Sequence, residues 1–437
     1  MIDIALIRKD PKEIAEALCK RGVVVDFKAI LRLDAQKRKT QAKLDAMRAE
    51  RNRVSDEISQ TKIKEKRDKM IADMKRLGEQ IASVRMDKIE DRLFKALAVL
   101  PNIPLPEVQA GGKEENRVVK TFGKRSQFSF KAKDHVELCT NLGIIDYERA
   151  AKISGSGTWV YTGIGAELEW ALLNYFVDFH LGNGYTLVMP PHLLNYESGF
   201  AAGQFPKFQD EVFITNFDKD PRKSKFLLPT AETALISLHR NEIIPVNKLP
   251  IKYAGLSPCY RKEAGSYRTS ERGMIRGYQF NKVEMFIYCL AQDAPKFFDE
   301  LVRNAEKLVD GLGLHFQTVA LAAGDMGGPM AKTYDIEVFI PSMGGYKEVS
   351  SCSTASDYQA RRGGIRTKVQ KHECDDTGCR MKTETEFLHT LNASGLATSR
   401  IIPAIVEQFQ QADGSVEVPA VLQKYMRGTK RIQARTQ

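Results

Sequence analysis

Pro258-Cys259-Tyr260-Arg261-Lys262-Glu263-Ala264-Gly265-Ser266-Tyr267, and then Arg272-Gly273-Met274-Ile275-Arg276-Gly277-Tyr278-Gln279-Phe280-Asn281-Lys282-Val283-Glu284, form two apolar segments around an arginine-rich, glycine-bearing polar loop. Guanidinium groups suit such a place because their planar fork binds phosphate or carboxylate through two parallel bonds. A strand period of two predicts Arg261 and Glu263 on one face. The pair could hold the phosphate and base of a nucleotide, or form a plain cross-strand ion pair. Spacing alone leaves both readings open. Other reactive types carry less. His372, Cys374 and Cys379 hint at metal-ligand spacing but lack an obvious fourth ligand, so no structural zinc is expected. Cys352 is expected to pack rather than react. Gly163-Ile164-Gly165 is too short to mark a nucleotide site.

The elements that must position these residues begin near Phe128, where short apolar runs alternate with Gly and Pro. Tyr185 to Pro191, Val283 to Tyr288 and Tyr334 to Ile340 read as strands, and Glu167 to His180 and Phe297 to Leu312 as helices. Strands and helices do not alternate regularly. The fold class is therefore α+β with a mainly antiparallel sheet flanked by helices.

Upstream the pattern differs. No proline lies between Pro11 and Pro101, and Gly78 is the only glycine from Leu31 to Leu100, which predicts long helices. Leu44, Met47, Val54 and Ile58, then Met70, Met74, Leu77, Ile81 and Val84, trace a coiled-coil seam. The apolar gap between Gln60 and Lys69 is the expected reversal. Two antiparallel helices of about 28 residues would project about 40 Å. The segment 31–100 holds 19 Lys/Arg against 12 Asp/Glu, so +7 of the chain's net +11 lies in about a sixth of its 437 residues. A solvated coiled coil and a phosphate-binding arm both fit that charge. We expect an N-terminal domain at 1–110 with its arm at about 31–100, a linker at 111–125, and a catalytic domain at 126–437. The charged opening segment and the absence of a long apolar run argue against a secretory leader or a membrane span. Seven cysteines form no disulfide framework and suit a reducing compartment, so the cytoplasm is expected.

The stretch from Cys259 to Glu284 resembles motif 2 of class II aminoacyl-tRNA synthetases, in the form found in the seryl-tRNA synthetase family. The resemblance runs along nearly the whole chain. Gly184-Tyr185 to Pro190-Pro191 is similar to motif 1, and Leu391-Asn392-Ala393-Ser394-Gly395-Leu396-Ala397-Thr398-Ser399-Arg400 to motif 3. Leu228 to Glu232, Gly324 to Gly327, Lys332 to Glu337 and Lys347 to Ser353 fall in the family's order between them.

The resemblance implies a serine–tRNA ligase: serine and ATP form seryl-adenylate, and serine then passes to the 3′ end of tRNA(Ser), with tRNA(Sec) as an additional acceptor in this family. It places Arg261 at the α-phosphate, Glu263 at the adenine, Arg276 and Phe280 around the bent nucleotide, and Arg400 at the γ-phosphate. Lys262, Val349 and Ser350 complete the nucleotide site. Glu348 and Ser351 would hold Mg²⁺, and Thr230, Ala231, Glu232, Arg261, Glu284, Asn392 and Ser394 would surround serine. A homodimer joined through motif 1 is implied, and the basic arm becomes a tRNA ligand. No Ser-His-Asp or Cys-His arrangement is required, because a carboxylate is already a competent nucleophile. Ala393 and Ser399 stand where the family usually has glycine, Ala323 where it has Ser or Thr, and 367–386 is longer and more charged than usual. The alternative is a paralogue that makes seryl-adenylate or seryl-tRNA for a biosynthetic pathway.

Overall fold

The computed structural model describes residues 1–215, 223–263, 273–375 and 378–433. Ala264 to Arg272 of the motif 2 stretch, and Asp376 and Thr377 of the His372–Cys379 segment, lie outside the described residues. The chain divides into two compact units. One comprises Ile2–Cys19 and Val23–Leu100, and the other Met1, Lys20–Gly22 and Pro101–Gln437.

In the first unit, α1 (Lys28–Gln60) runs 33 residues, about 50 Å, and returns through α2 (Lys64–Ser83) and α3 (Met86–Ala98). The reversal falls at 61–63, inside the expected gap. The return is two helices rather than one, because Val84 is extended and ends α2. Neither Gly nor Pro marks this break. Leu44 and Val54 are buried, and the seam residues of α2 are half-buried against α1. Lys62, Lys64, Lys66, Arg67 and Lys69 around the turn are all exposed.

The second unit is built on an eight-stranded sheet: β1 (Arg117–Phe122), β2 (Thr186–Val188), β3 (Ile251–Tyr260), β4 (Gln279–Cys289), β5 (Phe316–Ala320), β6 (Lys332–Ile340), β7 (Gly345–Ser356) and β8 (His389–Ala397). Their order is β1-β5-β6-β7-β8-β4-β3-β2, and every pairing is antiparallel except β2 with β3. The stretch 111–125, expected as a linker, thus contributes edge strand β1, since pairing with β5 satisfies backbone groups that a connector would leave to water.

Alternation along β4 divides the sheet's two faces. Val283, Met285, Ile287 and Cys289 join the main core with α4 (Ile164–Gly182), α5 (Ala294–Gly311) and α6 (Thr398–Gln408). Phe286 and Tyr288 face a second core with Phe205, Phe226, Leu228, Ala231 and Leu235. Each fully buried side chain of this size is worth about 1.5–3 kcal/mol. Gly165 admits α4 to its seat, since a Cβ there would lie 2.1 Å from the Ile144 carbonyl oxygen. That packing role accounts for the isolated Gly163-Ile164-Gly165.

Candidate active site

The second-core face of β4 also carries Phe280, Lys282 and Glu284, and the candidate site gathers there. Arg261 does not share a strand face with Glu263, because β3 ends at Tyr260. Glu263 takes a left-handed backbone, φ 49°, which re-aims its side chain. Its ion partner is Arg276, whose Nη1 donates to Glu263 Oε2 at 2.9 Å. Arg261 instead lies over the Phe280 ring, 5.2 Å from the centroid, and donates through Nε to the Pro229 carbonyl at 3.3 Å. The aromatic face assigned to a base thus also carries a guanidinium.

Arg276 follows a tight turn, Gly273–Ile275, whose first residue has φ 65°. A Cβ on Gly273 would meet His135 Nε2 and Val136 at 2.6 Å. Arg400, on the first turn of α6, donates through Nε to the Ile275 carbonyl at 3.2 Å and through Nη1 to the Glu348 carbonyl at 2.7 Å. One side chain of motif 3 thereby ties the motif 2 turn to β7. Arg261, Glu263, Arg276, Phe280, Lys282, Glu348, Ser394 and Arg400 line one cavity.

An adjoining cavity of about 470 Å³ is lined by Thr230, Glu232, Arg261, Glu263 and the Gly327–Met330 loop. Lys282 Nζ lies 2.5 Å from Glu284 Oε2 and donates to Thr230 Oγ1 at 2.7 Å, and Thr230 donates to Glu284 at 3.2 Å. Glu232 Oε1 accepts from Gln359 at 2.6 Å and Asn392 at 2.9 Å. Its enclosed position and the nearby Glu284 carboxylate push Glu232 up to about 7.

The remaining assigned residues divide by face. Ala231 and Val349 are buried in the cores, and Val349 is the extra residue of a bulge in β7 opposite Ile336 and Glu337. The Ser350 hydroxyl donates to the Ser394 carbonyl at 2.6 Å. The Lys262 backbone amide donates to the Glu211 carbonyl. Ser351 stands directly across the ladder from Asp335. Burial, with Glu348 next in weight, holds Asp335 well above the usual carboxylate range, and its Oδ1 is buried without a hydrogen-bond partner. That acidic neighbourhood fits a cation. Among the described residues no three His, Cys, Asp or Glu converge to hold a metal unaided. Cys352 is fully buried and its thiol is pushed up by burial, as a packing residue requires. Cys379 is disulfide-bonded, whereas Cys19, Cys139, Cys259, Cys289 and Cys352 are free.

Residues 1–104 match the seryl-tRNA synthetase N-terminal domain, and residues 213–409 the tRNA synthetase class II core domain (G, H, P, S and T). Serine–tRNA ligase 2 of Clostridium acetobutylicum is 49% identical over 430 residues, covering 98% of this chain and 99% of that protein. The chain belongs to the seryl-tRNA synthetase family. The serine–tRNA ligase of Thermodesulfovibrio yellowstonii is 43% identical, over 98% of this chain and 99% of its own. Two solved structures superimpose over the whole chain. Seryl-tRNA synthetase from Pyrococcus horikoshii complexed with ATP has a TM-score of 0.87 at 33% identity, covering 100% of both chains. Cytoplasmic serine–tRNA ligase from Naegleria fowleri in complex with AMP has 0.83 at 28%, covering 100% of this chain and 99% of that one. As a member of this family the chain is a class II aminoacyl-tRNA ligase.

Two departures from the family's motif 3 now have positions. Ala393 is fully buried in the main core, on the face away from the cavity lined by Arg261, Arg276 and Arg400, whereas Ser399 lines that cavity. Several neighbours of this seryl-tRNA synthetase site carry no motif signal. Gln359 reaches Glu232 from a short helix, Tyr358–Gly363. Arg21 donates to the carbonyls of Asn102, Ala323, Met326, Gly327 and Met330, and Asn102 Nδ2 donates to those of Pro329 and Ala355 at 2.8 Å. Together they set the loop that walls the second cavity. Only Lys282, two residues before Glu284 on a strand, could have been read from spacing.

Proposed function

We propose that the chain activates L-serine with ATP and transfers it to tRNA(Ser), working in the cytoplasm as a homodimer. The observation that carries this reading is the junction of two cavities at Arg261 and Glu263, one lined by Arg276, Phe280 and Arg400, the other by Thr230 and Glu232.

A serine carboxylate oxygen attacks the α-phosphorus, the bond to the bridging oxygen breaks, and pyrophosphate leaves. Arg261 neutralises charge on the α-phosphate, Arg276 and Phe280 hold the nucleotide bent, and Glu263 accepts from the adenine amine. Arg400 binds the γ-phosphate, exchanging its present bond to the Glu348 carbonyl for a phosphate oxygen. Positioning and charge stabilisation account for the rate. Mg²⁺ arriving with ATP would be held by Glu348 and Ser351, where it would offset charge on the phosphates. Glu232, Glu284, Thr230, Asn392 and Ser394 take the serine ammonium and hydroxyl, groups an apolar pocket could not select. A ribose hydroxyl of the tRNA 3′ end then attacks the seryl carbonyl carbon, and AMP leaves.

The exposed lysines and arginine around the turn of the arm support phosphate binding by the N-terminal unit, residues 1–110 in the domain division proposed from sequence. Exposed Leu187 and Met189 on and beside β2 support dimerisation along that edge. No described helix is long and apolar enough to cross a membrane. Charging of purified tRNA(Ser) with labelled serine tests the proposal, and failure to charge it removes the reading.

A further inference from the structure

Of the two carboxylates in the proposed serine pocket, Glu232 is the one whose described donors are neutral amides, Gln359 and Asn392, and Gln359 is the more enclosed. Gln359 is fully buried. Its Nε2 donates to Glu232 Oε1 at 2.6 Å and to the Ala202 carbonyl at 3.0 Å, while its Oε1 accepts from Thr390 Oγ1 at 2.7 Å. The Glu232 carboxylate and the Ala202 carbonyl, which can only accept, settle which way the amide points, and the Thr390 hydroxyl supplies the donor that its oxygen needs. Were the amide reversed, its carbonyl oxygen would face both the carboxylate and the Ala202 carbonyl, three acceptors without a proton between them. Asn392 adds a second donor to the same Oε1. Both bonds end on Oε1, so the network leaves Oε2 to the substrate.

We infer that Gln359, braced by Thr390, is a positioning residue for serine recognition: its amide donates to Glu232 Oε1 and holds that carboxylate in place with Oε2 turned to the substrate. Gln359 lines neither cavity and acts through Glu232. The inference rests on the serine-activating reading above. Glu284, Lys282 and Arg261 are the charged groups that also bear on Glu232. Of these, Lys282 and Arg261 favour its ionised form and Glu284 opposes it, so removing the Gln359 donor tilts the balance towards the protonated acid.

The test is serine-dependent ATP–pyrophosphate exchange by the full-length protein, with KM for serine and for ATP measured between pH 5.5 and 8.5. Gln359→Met, close in volume but without a donor, should raise the serine KM roughly 10-fold at pH 7 while leaving the ATP KM unchanged. The midpoint of its serine pH profile should move up by roughly one unit. Thr390→Val, which keeps the amide but strips its oxygen of a donor, should shift both readouts the same way by less. The double variant should be no worse than Gln359→Met alone, because Thr390 acts through Gln359. A Gln359→Met protein with the parent's serine KM and pH midpoint overturns the inference, as does one whose serine and ATP KM rise together. A parent without serine-dependent exchange marks instead the failure of the functional reading.

Discussion

Lys282 and Glu284 form an ion pair at 2.5 Å in which both side chains are nearly sealed from solvent, 6% and 3% exposed. They sit two residues apart on one face of β4, so the strand itself brings them together. Glu284 thus already has a cationic partner in the pocket proposed for the serine ammonium.

Removing the lysine leaves that charge buried without its counter-ion. Lys282→Met should cost about 3–5 kcal/mol of stability, a loss typical of breaking one side of a buried pair. Urea unfolding measures it. The double variant Lys282→Met/Glu284→Gln should recover much of that loss, since neither charge then remains stranded.

Serine affinity should depend on pH through Glu232. Its carboxyl titrates at about 7 rather than in the usual range, because enclosure and Glu284 favour the protonated form. An ammonium ligand binds the ionised form, so below pH 7 binding must first release a proton, costing about 10-fold in affinity per unit. Affinity should climb as pH rises to about 7 and level off above it. Glu232→Gln should flatten this rise, which calorimetry with serine reads directly.

Much of this arrangement was legible beforehand, for physical reasons specific to each part. Val283 to Tyr288 announces a strand because it is short, apolar and interrupted by a polar residue at an alternate position, Glu284, and its two faces indeed differ: Val283, Met285 and Ile287 join the main core, while Phe286 and Tyr288 meet the second core beyond Glu284. The arm was legible because the seventy residues 31–100 hold no proline and a single glycine, Gly78. Its break after Ser83 was not, since Val84 and Arg85 carry no Gly or Pro signal. The expected face shared by Arg261 and Glu263 failed because periodicity cannot tell where a strand stops. Gln359 and Thr390 were invisible for a different reason. Gln359 is 127 residues from Glu232, and only the fold joins them.

Deletion should separate the arm from the chemistry. Without residues 40–90 the protein should retain seryl-adenylate formation and lose tRNA charging. For the full chain, charging should weaken steeply with added salt, because phosphate contacts release counter-ions. Exchange, which does not involve the arm, should change far less. A truncated protein that charges tRNA at the full rate would refute the arm's role.

Arg261 borders both cavities, so its loss isolates the central claim. The decisive measurement is serine-dependent ATP–pyrophosphate exchange by the parent and by Arg261→Ala, with tRNA affinity recorded for each. We predict exchange in the parent that requires serine, none above background in the variant, and similar tRNA affinity for both. Exchange at the parent's rate in Arg261→Ala, or a parent that exchanges without serine, would contradict the account.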